Sequence, residues 1–170
     1  YSYHTDALIS EILQDLMEKY NISEDFAQNY LYLSGLTIHS AQNSDMQDTV
    51  EKEFNKKQYQ LKSNDGESTA QAAMVILDHT NGNVIACAGG LGEKTTYRGL
   101  NRATQSTRQT GSSIKPLAVL VPGIDKKQFT ASTIYEDKET VFKDEYKPKN
   151  SDKKYLGKIT VRRALESSQN

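Results

Sequence analysis

The chain has no tryptophan, a single cysteine, three histidines and three prolines among its 170 residues. Each shortage excludes something. Cys87 has no partner for an internal disulfide, and its setting in "VIACAGG" makes it a buried strand residue rather than a reactive thiol. His4, His39 and His79 are scattered, without ligand spacing or a carboxylate partner, so no metal and no other cofactor is expected. A surplus of one charge is missing too. The 21 basic and 22 acidic residues leave a formal net charge of −1, which predicts neither a nucleic-acid footprint nor a field for membrane surfaces. No apolar run approaches the ~18 residues of a membrane span, and no basic-then-apolar leader opens the chain. What remains is an ordinary globular composition, 36% hydrophobic and 25% charged, long enough for one sizeable core or one domain with a small appendage. The abrupt start at "YSYHTDALIS" and the stop at "ESSQN", inside what reads as a helix, point to a fragment.

The pattern that is present begins with helices. Leu8, Ile9, Ile12, Leu13, Leu16 and Met17 form one apolar face between Thr5 and Tyr20. Ser23 caps a second helix, predicted from Ser23 to Tyr32. "SGLTIHS" reads as a strand around Leu36 to His39, and a Ser44…Gln47 capping box opens a helix carrying Met46, Val50 and Phe54. "LKSNDGEST" is a polar linker with Asp65-Gly66 as its turn. At Gln71 the composition changes: "AAMVILD" and "VIACAGG", joined across Asn81-Gly82, predict a hairpin of two buried strands. "LGEKTTYRGLNRATQST" reads as loop, with Arg102 and Arg108 read as structural hydrogen-bond donors, orientation of a substrate carboxylate being the alternative. An apolar helix is then expected from Ser112 to Val121, ended by Pro122-Gly123. Residues 125–158 are polar, lysine-rich and turn-rich, and Thr160 caps a last helix, "VRRALESSQN".

The chemistry concentrates at Arg108–Leu117, "RQTGSSIKPL". In the first turn of a helix, residues i and i+3 share a face, which brings the Lys115 amine within reach of the Ser112 hydroxyl. A serine hydroxyl is a poor nucleophile until a base takes its proton. A lysine serves when burial and the positive end of a helix lower its pKa. Gly111 would let the backbone approach closely, leaving the Ser112 N–H to face a developing oxyanion. Ser-x-x-Lys is a cheap motif, and Ser151-Asp152-Lys153-Lys154 repeats it in a polar loop that reads as solvated surface. Only the Ser112 copy follows a hairpin and opens an apolar helix.

With these residues assembled, the chain resembles the bifunctional, class A penicillin-binding proteins. "NRATQSTRQTGSSIKPL" (101–117) looks like their active-serine region, "AAMVILDHTNGNVIACAGG" (72–90) like the preceding hairpin, and "YKPKNSDKKYLGKITVRRALESSQN" (146–170) like the approach to their second motif, here Ser168-Gln169-Asn170. "GLTIHSAQNSDMQDTVEKEF" (35–54) is similar to the segment joining their glycosyltransferase and transpeptidase domains. The resemblance covers about residues 30–170.

It implies an α/β (α+β) fold of the penicillin-binding and serine β-lactamase type. That is an antiparallel sheet flanked by helices, incomplete here, with the Ser112 helix buried between sheet and helical lobe. It divides the chain into a linker region (1–65), joined upstream to an absent glycosyltransferase domain, and the N-terminal part of a transpeptidase domain (66–170). It assigns Ser112 as the acylated nucleophile, Lys115 as its proton acceptor and Ser168 as the proton relay. Asn170 is the amide that holds the substrate's acyl side chain and steadies the lysine. The implied activity is D,D-transpeptidation of peptidoglycan stem peptides ending in D-Ala-D-Ala, with β-lactams as mimics that leave an ester on Ser112. The implied setting is the extracytoplasmic face of the bacterial cell membrane, with the full-length protein membrane-anchored.

One element departs from the family pattern. No Lys-Ser/Thr-Gly occurs, and Gln109-Thr110-Gly111 lacks the lysine and lies before the serine. That element supplies the other oxyanion-hole N–H and grips the substrate carboxylate, so the chain alone is expected to be inactive, lacking the C-terminal half of the domain. Two alternatives stay open. One is a D,D-carboxypeptidase or β-lactamase of the same fold, although no glutamate suited to deacylation is identifiable. The other is a non-catalytic cell-wall scaffold module.

Overall fold

Ser2 opens the first helix by accepting the Thr5 N–H at 2.9 Å, and Asn21 closes it in the left-handed conformation with its N–H on the Met17 carbonyl. The computed structural model describes residues 1–170 and resolves two compact units, Tyr1–Thr107 and Arg108–Asn170. In the first unit, α1 (Tyr3–Tyr20) buries Ile9 and Leu13 against Ala27 and Leu31 of α2 (Glu24–Leu33). Ser23 caps α2 through the Phe26 N–H, as its sequence position predicts. The apolar stripe at helical spacing thus becomes the first of two small cores.

The second core lies where α3 (Ser44–Phe54) meets the hairpin of β1 (Met74–Leu77) and β2 (Val84–Ala88). Val50 packs there with Ala86 and Ala88, flanked by Tyr3, Phe54 and Ile76. The strands are antiparallel, pairing Met74 with Ala88 and Val75 with Cys87, and a bulge falls between Ile76 and Leu77. In the turn, Asp78 accepts from the Thr80 N–H and hydroxyl and from the Asn81 amide, while Gly82 takes φ +80°. Such a turn needs a residue free of a Cβ penalty at positive φ.

The other edge of β2 is covered by side-chain and main-chain groups of the α3 start. Asn43 N–H donates to the Ile85 carbonyl at 2.9 Å. The Gln47 amide accepts from Cys87 N–H and donates to Cys87 C=O, both at 2.9 Å. A buried glutamine here takes the part of a neighbouring strand. Asp6, 4% exposed, ties α1 to the following loop by accepting from Lys94 at 2.6 Å and from the Arg98 N–H at 2.8 Å.

Several local expectations are revised. The cap of α3 is Asn43, whose side chain accepts from Met46 N–H, so Ser44 and Gln47 form no capping box. Residues 36–39 form no strand, since nothing pairs with them and a strand exists only as part of a ladder. β2 is buried at Ala86, Cys87 and Ala88, but β1 is largely exposed. The loop after β2 contains a one-turn helix, α4 (Arg102–Gln105), capped by Asn101.

In the second unit, a helical run starts with a 3-10 turn at Gly111–Ile114. It widens to a π-turn at Pro116–Leu120 and ends as α5 (Val121–Asp125). Pro122 does not end it. Proline has no N–H to offer the preceding turn, and the widened register, with Val121 N–H on the Pro116 carbonyl, carries the helix past it. Gly123 is required by close approach, because a Cβ there would sit 2.2 Å from the Phe129 ring. The run is not a buried helix: Leu117, Val119 and Val121 are exposed.

The polar stretch holds two strands that its composition hid, β3 (Ile134–Asp137) and β4 (Gly157–Thr160), paired antiparallel. Both are four residues long, too short for an alternation to declare itself. β4 runs straight into α6 (Val161–Glu166), whose N-terminus is capped by Thr160 through the Arg163 N–H at 3.2 Å. α6 stops at Glu166, short of the expected end.

Candidate active site

The end of α6 is built as a Schellman turn. Ser168 N–H donates to the Leu165 carbonyl at 3.0 Å and Gln169 N–H to the Ala164 carbonyl at 2.9 Å, the two bonds that define this helix stop. The position between them takes a left-handed conformation, normally glycine's, yet it holds Ser168 at φ +53°. An L side chain there costs on the order of 1–2 kcal/mol. Ser168→Gly is therefore expected to raise stability by about 0.5–1 kcal/mol by thermal unfolding, and Ser168→Ala to give no such gain.

The turn aims the carbonyls of Ser168 and Gln169, together with the Ser168 hydroxyl, at one point. Lys115 occupies that point. Its Nζ donates to Gln169 O at 2.8 Å, to Ser168 O at 2.9 Å and to Ser168 Oγ at 3.4 Å, across 53 and 54 residues of sequence. An ammonium has three N–H donors, and all three are used. Burial pushes the Lys115 pKa below its ordinary value. The desolvating walls belong to an apolar cavity of about 380 Å³, lined by Val119, Leu120, Phe129, Tyr135, Val161 and Leu165 beside Lys115 itself. Burial in a low-dielectric wall disfavours the charged amine.

Ser112 stands three residues before the lysine, and Lys115 N–H closes the 3-10 turn on the Ser112 carbonyl. In that turn, side chains at i and i+3 eclipse, so the hydroxyl and the lysine stem share a face. The expected Ser112–Lys115 hydrogen bond is not formed, because the amine is turned to Ser168 and Gln169. Ser112 is solvent-exposed. Gly111 is needed for its φ of +54°, not for close approach, since a Cβ there would meet nothing within 4 Å.

Asn170 lines the same cavity as Lys115, but its side-chain amide donates to the Lys149 carbonyl at 2.8 Å and makes no bond to the lysine. What steadies Lys115 is the Ser168 and Gln169 main chain, which the sequence did not single out. Asn150 and Asp137 were also missed. Asn150 is 3% exposed and donates to both Asp137 and the Lys154 carbonyl. It lies in "KPKNSD", where nothing in the polar pattern distinguishes a buried asparagine from a solvated one.

Elsewhere, His4 Nε2 donates to the Val84 carbonyl at 2.9 Å, which assigns the proton to that nitrogen. Arg102 donates to the Gly89 carbonyl at 3.3 Å. Burial raises the Cys87 pKa, which keeps that thiol unreactive.

Comparison with known proteins follows the same residues. The family profile described as "Penicillin binding protein transpeptidase domain" matches residues 72–170. Penicillin-binding protein 1A of Clostridium tetani is 34% identical over 181 residues, covering all of this chain and 23% of the relative. Penicillin-binding protein 1F of Bacillus subtilis is 31% identical, covering 97% of this chain and 22% of the relative. The chain thus spans under a quarter of these relatives' length. Among solved structures, PonA1 of Mycobacterium tuberculosis in complex with penicillin V superposes with a TM-score of 0.68 at 25% identity, over 98% of this chain and 40% of that one. The mixed helices and partial antiparallel sheets are those of an incomplete penicillin-binding fold, and the chain belongs to the penicillin-binding protein transpeptidase domain family.

Proposed function

We propose that this chain carries the nucleophile, base and relay of a serine D,D-transpeptidase that cross-links peptidoglycan stem peptides and is acylated by β-lactams. The observation that carries the reading is the seat of Lys115 against Ser168, which joins two separate motifs of the sequence at one amine. Ser112 Oγ attacks the penultimate D-alanine carbonyl while its proton passes to the neutral Lys115 amine, which must release one present contact to take it. The tetrahedral oxyanion collapses to the Ser112 ester. The departing D-alanine amine then takes a proton from Lys115 by way of Ser168. A stem-peptide amine next attacks the ester, its proton returns along the same path, and Ser112 is regenerated. Asn170 orients the acyl side chain.

Ser168 suits the relay on chemical grounds. Of the three partners of Lys115, two are carbonyls that only accept, and the hydroxyl alone can reverse and donate to a neutral amine. In this reading the full-length protein also bears a glycosyltransferase domain and a membrane anchor, and it works on the extracytoplasmic face of the bacterial cell membrane.

The test is the intact mass before and after exposure to a penicillin. A longer polypeptide that continues through a Lys-Ser/Thr-Gly element is expected to gain one penicilloyl group, and its Ser112→Ala variant none. A polypeptide of these 170 residues alone is expected to gain none. A wild-type longer chain that stays unmodified would leave the scaffold reading in its place. An adduct shed to water within minutes would favour the β-lactamase.

A further inference from the structure

Asn150 is the only polar residue of the Arg108–Asn170 unit that is fully buried. Its side chain is bonded at both ends. Nδ2 donates to Asp137 Oδ1 at 3.0 Å and to the Lys154 carbonyl at 2.8 Å, and Oδ1 accepts from the Asn170 N–H at 2.7 Å. Asp137 ends β3 and is fixed in turn by the Leu156 N–H at 2.7 Å. The amide is therefore tied to the β3–β4 ribbon, and the ribbon feeds α6 directly.

The N–H that Asn150 receives belongs to the Gln169–Asn170 peptide group. The carbonyl of that same group accepts from Lys115 at 2.8 Å. A peptide group is planar, and in the trans form its N–H and C=O point opposite ways. One plane is thus held from one side by a buried, sheet-anchored amide and from the other by the amine of Lys115. Rotating the plane to satisfy a different N–H partner would swing the carbonyl off the lysine. The Asn170 side chain adds a second tether on the same side, through Lys149 O.

We propose that Asn150 is a positioning residue of the acyl-transfer site, fixing the peptide plane whose carbonyl seats Lys115. The inference rests on the transpeptidase reading of that site. Asn150 touches neither nucleophile nor base and acts only through the Gln169–Asn170 peptide. Loss of its amide leaves the chain fold-competent at the Schellman turn, whose two bonds it does not share, but frees the plane to rock. A misplacement of the order of 1 Å at a catalytic group costs about 10²-fold.

The experiment measures the first-order rate of penicillin acylation at saturating penicillin, and separately the fraction of protein finally acylated, in the full-length protein. The variants are Asn150→Ala, Asn150→Asp, and Asn150→Asp combined with Asp137→Asn. Asn150→Ala is expected to lower the rate constant about 10- to 100-fold while the final acylated fraction stays near that of wild type. Asn150→Asp sets two carboxylates against each other and should be at least as slow. The double variant restores a donor facing an acceptor and should recover several-fold.

A rate constant within twofold of wild type in Asn150→Ala overturns the proposal. So does a normal rate constant with a reduced acylated fraction, which is the mark of a purely structural residue. Should Asn150→Ala not fold, the aspartate pair decides: rescue supports the positioning role, and a double variant no faster than the single overturns it. A wild-type protein that is never acylated overturns the transpeptidase reading itself, and this inference with it.

Discussion

Lys115→Arg is expected to abolish penicillin acylation at every accessible pH, by about 10²- to 10⁴-fold, the range general-base catalysis contributes. The charge and the reach toward the Ser168 and Gln169 carbonyls would survive. The ability to lose a proton would not, because a guanidinium stays charged. The substitution thus separates what Lys115 does in the structure, filling three acceptors, from the proton acceptance proposed for it. In wild type, the rate should rise with pH as Lys115 deprotonates. Its pKa is lowered by burial, so the rising limb lies below the ordinary lysine value of about 10.4.

Stability responds with a definite sign. Between the folded pKa and the ordinary value, the unfolded chain binds more protons than the folded one, so stability rises with pH across that window. Arginine at 115 removes that rise as well as the activity. Rapid-mix acylation between pH 6 and 10, with unfolding followed over the same range, checks both. An arginine variant that acylates like wild type would show that another group takes the serine proton.

How far the site could be read from sequence depended on whether its parts were local. Ser112 and Lys115 are three residues apart in one helical turn, so their common face was legible, but not the direction of the amine, whose partners Ser168 and Gln169 lie 53 and 54 residues on. Thr160 and Ser23 were legible as caps for the same reason: the bond each makes is to a backbone group three residues on. The hairpin was legible because its turn and both strands lie within one short stretch. The π-widening before Pro122 was not, since a proline preceding a glycine ordinarily ends a helix. Gln47 looked like a capping-box partner, and its two buried bonds, both to Cys87, lie 40 residues away. The exposed face of the Ser112 helix failed for another reason: periodicity tells that a face is apolar, not that something covers it. Asn150 was missed most completely, because two of its three partners, Asp137 and Asn170, lie 13 and 20 residues away. Side chains that bind distant backbone leave no periodic trace, and here they include those that set the lysine's orientation.

Gln47→Met is expected to cost about 2–4 kcal/mol in the local stability of β2, a large effect for a substitution of near-equal volume. Gln47 is 2% exposed, and its amide satisfies both the N–H and the C=O of Cys87 at 2.9 Å. Each group left buried and unpaired carries a penalty of about 1–3 kcal/mol. The thioether recovers part of this through apolar burial, which brings the upper figure down. A third bond, Gln47 Nε2 to Glu51 at 2.8 Å, is reached from the half-buried side and adds little. Gln47→Glu should be worse at neutral pH, since it faces the Cys87 carbonyl and the Glu51 carboxylate with a charge. Burial and that neighbour would raise the new carboxyl's pKa, so its deficit should shrink on acidification as the group becomes neutral and able to donate.

Amide hydrogen exchange at Ala86, Cys87 and Ala88 reads the effect locally and does not require the whole protein to unfold in one step. Faster exchange by about 30- to 1,000-fold at these three amides would match the expected loss. Unchanged protection in Gln47→Met would mean that β2 holds its edge without the glutamine, and that α3 packs through Val50 alone.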